Sequence, residues 1–189
     1  MYIVKERENN VKHQQIVSGV SLIAYWGSLF VIDYAKWAFC AIWTLIMILV
    51  VNIRAYLDGE SFPAVFLLLM FGGIPVILLT YVTSYAFKSP AKAQYISFLM
   101  NFLSGCIMVL VFFILRMFES TRSVVYDGFE WILRFQPTFA VIFGVFETGS
   151  TARWEQVFKL DTEPKAFSQY GCVKSLCYIL ITPLLWLGC

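Results

Sequence analysis

The stretch FPAVFLLLMFGGIPVILLTYVTSYAF, residues 62–87, contains no charged side chain and yet places Gly72, Gly73 and Pro75 near its middle. A proline inside a helix removes a backbone hydrogen bond and crowds the preceding turn, at a cost of about 3 kcal/mol in water. In a bilayer the same residues are tolerated, because neighbouring groups satisfy the freed carbonyl. A helix needs about 20 mainly apolar residues to cross the hydrocarbon layer, and this run meets that length. It reads as a membrane span with a kink at its centre.

Two further spans flank it. Upstream, residues 34–56 hold the uncharged heart WAFCAIWTLIMILVVNI. Lys36 and Arg54 can snorkel at its two ends, while Trp37 and Tyr56 suit the headgroup level. Downstream, residues 91–116 place Ser97, Asn101, Ser104 and Gly105 at spacings of three, four or seven, and therefore on one side of a helix. Asn101 sits deep in that run and is expected to make an interhelical hydrogen bond. The joints are short: residues 57–61 carry Asp58 and Gly59, and KSPAK, residues 88–92, lets Pro90 open the next helix. Such joints imply a compact antiparallel trio. Lys88 and Lys92, with Lys5, Arg7 and Lys12, place the amino terminus and the second joint in the cytoplasm.

Composition agrees with lipid as the solvent. The 189 residues are 60% hydrophobic and 14% charged, against about 25% charged in soluble domains, and the mean hydropathy is +0.74. A formal net charge of +2, with basic residues scattered at the ends of apolar runs, argues against nucleic acid as a partner. The opening MYIVKERENN has no apolar core or cleavage site of a signal peptide, so insertion uses an internal span. Among the five cysteines, Cys172 and Cys177 have no His or carboxylate at zinc-ligand spacing, and a disulfide between them stays open.

Beyond the third span the chain turns polar. Val125, Phe129, Ile132, Leu133 and Gln136 follow helical spacing beside Arg122, Asp127, Glu130 and Arg134, which predicts an amphipathic helix. Pro137 ends it. FAVIFGVF, residues 139–146, is too short to span and suits the second leg of a shallow hairpin; a pair of helices on an extramembrane lid is the alternative. Residues 148–174 read as an exposed loop, and SLCYILITPLLWLGC, residues 175–189, as the start of a truncated last transmembrane helix. The expected organisation is thus an elbow region over 1–33, a three-helix transmembrane core over 34–116, an extracytoplasmic hairpin and loop over 117–174, and the last apolar segment.

Catalytic chemistry is sparse. The only histidine, His13, has no nucleophile assigned to it, and the phosphate-cradling pattern GxxxxGK[ST] is absent. No catalytic, cofactor-binding or metal residue is expected. Asp33, close to the start of the first strong span, reads as an interfacial carboxylate, hydrated or paired with Lys36.

The amino-terminal residues Glu6 and Arg7, then Lys12, His13 and Gln14, the trio Ser18, Gly19 and Val20, the pair Tyr25 and Trp26, and finally Asp33 form a long mixed pattern. It resembles the elbow-and-first-helix signature of the A subfamily of ATP-binding cassette transporters, the large lipid exporters. Phe87, Lys88, Pro90 and Ala91 are similar to that family's cytoplasmic turn, and Pro137, Phe139 and Gly144 to the segment closing its outward-facing hairpin. The family pattern places a further glycine near Ile142, and this chain lacks it. The resemblance implies an all-α polytopic membrane protein, part of an ABC exporter transmembrane domain with an interfacial elbow helix and an outward-facing helical hairpin, from the later part of one domain and of the carboxy-terminal half. It further implies that Gly19 and Ser18 break the elbow and that Tyr25 and Trp26 lie in the headgroup layer. ATP and Mg would act only in the intact transporter, through missing nucleotide-binding domains and an opposing transmembrane half, with lipid or another amphipathic substrate. A nonfunctional remnant and a small membrane scaffold or channel stay open beside this reading.

Overall fold

A computed structural model describes residues 2–9, 14–15, 17–57, 59–118, 130–150, 167 and 172–187. Regular structure among them is entirely helical. In chain order the elements are α1 (Tyr2–Glu8), α2 (Leu22–Val51), α3 (Arg54–Leu57), α4 (Ser61–Ser84) and α5 (Pro90–Phe102). A π-helical segment (Leu103–Met108) leads into α6 (Val109–Met117), and α7 (Glu130–Arg134), α8 (Pro137–Gly149) and α9 (Val173–Leu187) follow.

Three helical stretches, Leu22–Val51, Ser61–Ser84 and Pro90–Leu115, are long and apolar enough to cross a membrane. The first begins well before the apolar run read from sequence. Ser21 caps it by accepting the Ala24 amide N–H at 3.2 Å, and Asn52, in the left-handed region at φ 55°, ends it. At 30 residues, α2 is about 45 Å long, more than the hydrocarbon layer of about 30 Å requires, so Tyr25, Trp26 and Asp33 belong to the long helix and not to a separate elbow. Its outward face exposes Phe39, Trp43 and Val50, a surface that only lipid or a protein partner can cover.

The three spans pack within a larger bundle centred on α4. Of α4's most apolar window 39% is buried, against 17% for each of the other spans. It packs against α2, α8 and α9, while the third span touches it sparsely and leans instead on α8. The physical reason is side-chain size. Gly72 lets α4 approach Val141 of α8 so closely that an added Cβ would sit 2.4 Å from a valine methyl. Gly73 does the same for Trp37 of α2. The Trp37 indole N–H donates to the Leu69 carbonyl at 2.7 Å and the Tyr34 hydroxyl to the Met70 carbonyl at 3.2 Å, just before the turn that Pro75 perturbs. The core cluster there joins Ala64 and Leu68 of α4, Ala140 and Val141 of α8, Cys172, and Ile179 of α9.

The short leg α8 fills the space between the third span and the α4–α9 pair. On its other side Phe139 and Phe143, stacked on each other, pack with Val109 and Phe112 of α6, and Phe112 meets Phe139 edge-on. The polar stripe of the third span faces it: Thr138 donates to Asn101 Oδ1 at 2.6 Å, and Ile142 packs on Gly105, taking space that a Cβ there would need.

One further expectation is corrected. Thr148, read as the start of an exposed loop, is fully buried in the last turn of α8, and Lys174 belongs to α9. Cys172 and Cys177 are both free thiols, the first buried and the second exposed. Arg122, Val125, Asp127, Phe129 and the rest of the 148–174 loop beyond residue 150, apart from 167 and 172–174, lie outside the described residues.

Candidate functional site

Two polar assemblies interrupt the apolar bundle. The first lies where α1 meets the ends of α2, α4 and α5. Gly19 turns the chain at φ 95°, a conformation that L side chains rarely adopt, and thereby aims α2 away from the preceding residues. α1 packs on α4 and α5, with Ile3 and Val4 buried. Its Glu6 is also buried, and the Tyr25 hydroxyl of α2 donates to Glu6 Oε2 at 2.5 Å. A charge-assisted bond of this length is among the stronger hydrogen bonds, and it ties the short amino-terminal helix to the long span. Trp26 continues the tie: its ring lies 5.3 Å from Tyr25, 5.6 Å from Tyr81 and 6.2 Å from Tyr85 of the α4 end. About two turns further on, Asp33 accepts from Lys36 Nζ at 3.1 Å and from the Tyr81 hydroxyl at 2.9 Å.

The structure thus brings Glu6, Tyr25, Trp26 and Asp33 into one assembly. Ser18 sits beside it, exposed, with its hydroxyl on the Gln15 carbonyl. Arg7 lies in α1, and its side chain, like Lys12 and His13, falls outside what is described. α1 also lies at the end of the bundle that carries the α4–α5 turn with Lys88 and Lys92.

The second assembly inverts the amphipathic helix expected around residue 130. Glu130 and Arg134 face inward at 1% exposure each, whereas Trp131 and Ile132 face out at 57% and 68%. Arg134 Nη2 donates to Glu130 Oε1 at 2.8 Å and to Glu147 Oε2 of α8 at 2.7 Å, and Nη1 donates to the Ser175 hydroxyl of α9. The Phe143 ring lies 5.1 Å beneath the guanidinium, and Lys174 Nζ is 4.0 Å from Glu130. Burial pulls the Arg134 pKa down, but the carboxylates of Glu147 and Glu130 outweigh it and hold the guanidinium above its ordinary value. One side chain thereby links α7, α8 and α9. Pro137 opens α8, and Gly144 lets it press against Ser175 and Leu68.

Sequence reading missed this knot. Its one legible signal was Glu147, a carboxylate closing an apolar run, with Glu130 and Arg134 four apart on a neighbouring segment. Nothing in the spacing joins the two segments or Ser175. Among the described residues no three His, Cys, Asp or Glu side chains converge as metal ligands. The chain's glycine pair also fails to fit nucleotide: the space over Gly72 and Gly73 is filled by Val141 and Trp37, so no phosphate can approach their backbone.

A family model described as "ABC-2 family transporter protein" matches residues 1–189. The chain belongs to the ABC-2 transporter family. It is 32% identical over 124 residues to the retinal-specific phospholipid-transporting ATPase ABCA4 of Bos taurus, a match covering 66% of this chain and 5% of that protein. The human protein of the same name is 31% identical over 134 residues, 71% of this chain and 6% of the relative. Human ATP-binding cassette sub-family A member 2 is 28% identical over 124 residues, 66% and 5%. The chain therefore spans about one twentieth of the length of these relatives. It is an ABC-2 type transmembrane domain homologous to the A-subfamily lipid transporters.

Proposed function

We propose that this ABC-2 chain is the transmembrane portion of an ATP-driven transporter that moves lipid or another amphipathic substrate, with ATP and Mg bound by nucleotide-binding domains outside residues 1–189. The observation that carries the reading is the family match along the whole chain, joined to the docking of α1 beside the α4–α5 turn. That end gathers Lys5, Lys88 and Lys92, which supports its placement in the cytoplasm, where nucleotide-binding domains lie. The Glu6–Tyr25 bond and the Trp26–Tyr81 contact give a displacement of α1 a mechanical route into both α2 and α4. The knot at Arg134 holds the hairpin to α9 at the other end of the bundle. Named relatives are phospholipid-transporting ATPases, and this supports lipid as the substrate class.

The test replaces the matching stretch of the bovine relative with residues 1–189 of this chain and measures ATP turnover and fluorescent-lipid movement in vesicles. ATP-dependent lipid movement by the chimera, and none by the isolated chain, is expected. A well-expressed chimera that hydrolyses ATP and leaves lipid in place would contradict the reading.

A further inference from the structure

Among the described residues the third span alone carries a wide turn: Leu103–Met108 is π-helical, with α5 before it and α6 after it. A π turn bonds each carbonyl to the fifth residue on, one beyond the α-helical partner, and so takes up one surplus residue. The surplus has a visible effect on the faces. Asn101 and Val109 would stand about 80° apart around an unbroken α-helix, at about 100° per residue. With one residue absorbed between them they fall within about 20°. They do share a face: Asn101 Oδ1 accepts the Thr138 hydroxyl at 2.6 Å, Gly105 lies under Ile142, and Val109 packs with Phe139 and Phe143, all on α8.

Packing alone does not need the surplus. An ordinary helix one residue shorter would align the same side chains, since seven residues make about two α-helical turns. Single π turns inside α-helices are rare and fall frequently at functional sites. This one lies between two seats: α5 touches α1 and α4, while α6 is clasped by the hairpin, with Phe112 edge-on to Phe139 at 5.7 Å and Phe113 edge-on to Phe146 at 4.5 Å. Between the seats the hold is light. The Ser104 hydroxyl and the Asn101 amide bond back to their own helix, on the Met100 carbonyl at 2.8 Å and the Ser97 carbonyl at 2.9 Å, and so anchor it to no neighbour. Across to α8 run the Thr138–Asn101 bond and a longer one, 3.5 Å, from Gln136 Nε2 to the Ser104 hydroxyl. Gly105 presents no Cβ for Ile142 to climb over.

We propose that Leu103–Met108 is a register switch. The surplus residue passes toward α5, and the residues it passes, 101–104, turn about 100° away from α8 and move about 1.5 Å along the axis, while the start of α5 and all of α6 keep their seats. The Asn101–Thr138 bond is made in one register and broken in the other. Such a switch works on the helix itself, whatever the cargo: it turns the polar stripe between the hairpin and the outward face without unseating either end.

The full chain, with its cysteines replaced by alanine, is spin-labelled in nanodiscs at Phe102→Cys and Ile132→Cys, both exposed positions, and the distance is read by pulsed electron paramagnetic resonance. A second pair joins Ile114→Cys, on the seated α6, to Ile132→Cys. Two distances are expected for the first pair and one for the second. Thr138→Val removes the hydroxyl that Asn101 holds and should raise the share of the turned register about two- to tenfold, the effect of one hydrogen bond. Deleting Ile107, 42% exposed, removes the surplus; the first pair should then show one distance, with a Tm no more than about 2 °C below the parent. Deleting Ile42, 49% exposed on α2 where there is no surplus, should instead turn Leu45 and Ile48 off Val65 by about 100° and lower the Tm by more than about 5 °C. A single distance at the first pair in both the parent and Thr138→Val would overturn the switch, as would an Ile107 deletion that melts as low as the Ile42 deletion. Two distances at the Ile114 pair as well would mean that the whole hairpin moves, and would overturn it too.

Discussion

Replacing Arg134 with Met removes the cation at the centre of the hairpin knot while keeping most of the side chain's length. Its two carboxylate partners are almost fully buried, at side-chain exposures of 2% for Glu130 and 1% for Glu147. Lys174, 4.0 Å from Glu130, still faces that carboxylate, so the greater loss falls on Glu147. Breaking a buried pair from one side costs about 3–5 kcal/mol, because the other charge stays in a medium that cannot solvate it. For a chain of this size that corresponds to a fall in Tm of about 6–20 °C. Protonating the stranded carboxylate lifts the penalty, so the deficit should shrink as pH falls from 8 to 5. The parent should show no such recovery from Arg134 itself, since the carboxylates keep the guanidinium above its ordinary value. Exchanging all three groups together, Arg134→Met with Glu130→Leu and Glu147→Leu, should regain most of the loss, because no charge is then stranded. Thermal unfolding of detergent-solubilised protein, followed by circular dichroism, reads all three. A single variant that melts within about 2 °C of the parent at both pH values would refute the buried knot.

Gly144→Val should destabilise the hairpin by about 1–3 kcal/mol, seen as a lower Tm, because even a Cβ there would lie 2.7 Å from the Ser175 Cβ and 3.0 Å from Leu68. Burial pushes the Cys172 thiol up to about 11 from 9.0, so at pH 8 its alkylation in a variant with no other cysteine should be about 100-fold slower than in denatured protein. The same shift favours the thiol in the folded state, so this contribution to stability is present below pH 9 and is lost as pH rises toward 11. Cysteines introduced at Glu8 and Ser89 should resist an impermeant thiol reagent in sealed cells and react after permeabilisation; rapid labelling of both in intact cells would reverse the orientation.

The three spans were legible because the need to satisfy every backbone group in lipid leaves a long apolar run few alternatives to a helix, and the runs around Trp43, Leu68 and Val109 are long enough to show it. Local pattern also placed Asn101 on the stripe with Ser97, Ser104 and Gly105, and Lys36 three residues from Asp33. What a given face meets is another matter. Helical periodicity sorts Glu130 and Arg134 from Trp131 and Ile132, but in a membrane the polar side can turn inward, and here it does because Glu147 and Ser175 wait on two other helices. The same holds for Gly72 and Gly73, whose partners Val141 and Trp37 lie on opposite sides of them in the chain. Sequence alone determined that the three long apolar segments around Trp43, Leu68 and Val109 are helices that lipid can surround, since both follow from composition over a single stretch. Tertiary structure decided that α4 is the hub, that α1 reaches Tyr25 and that three distant segments share one buried guanidinium. Those outcomes depend on close approaches between side chains far apart in the chain, and spacing along one helix carries no record of them.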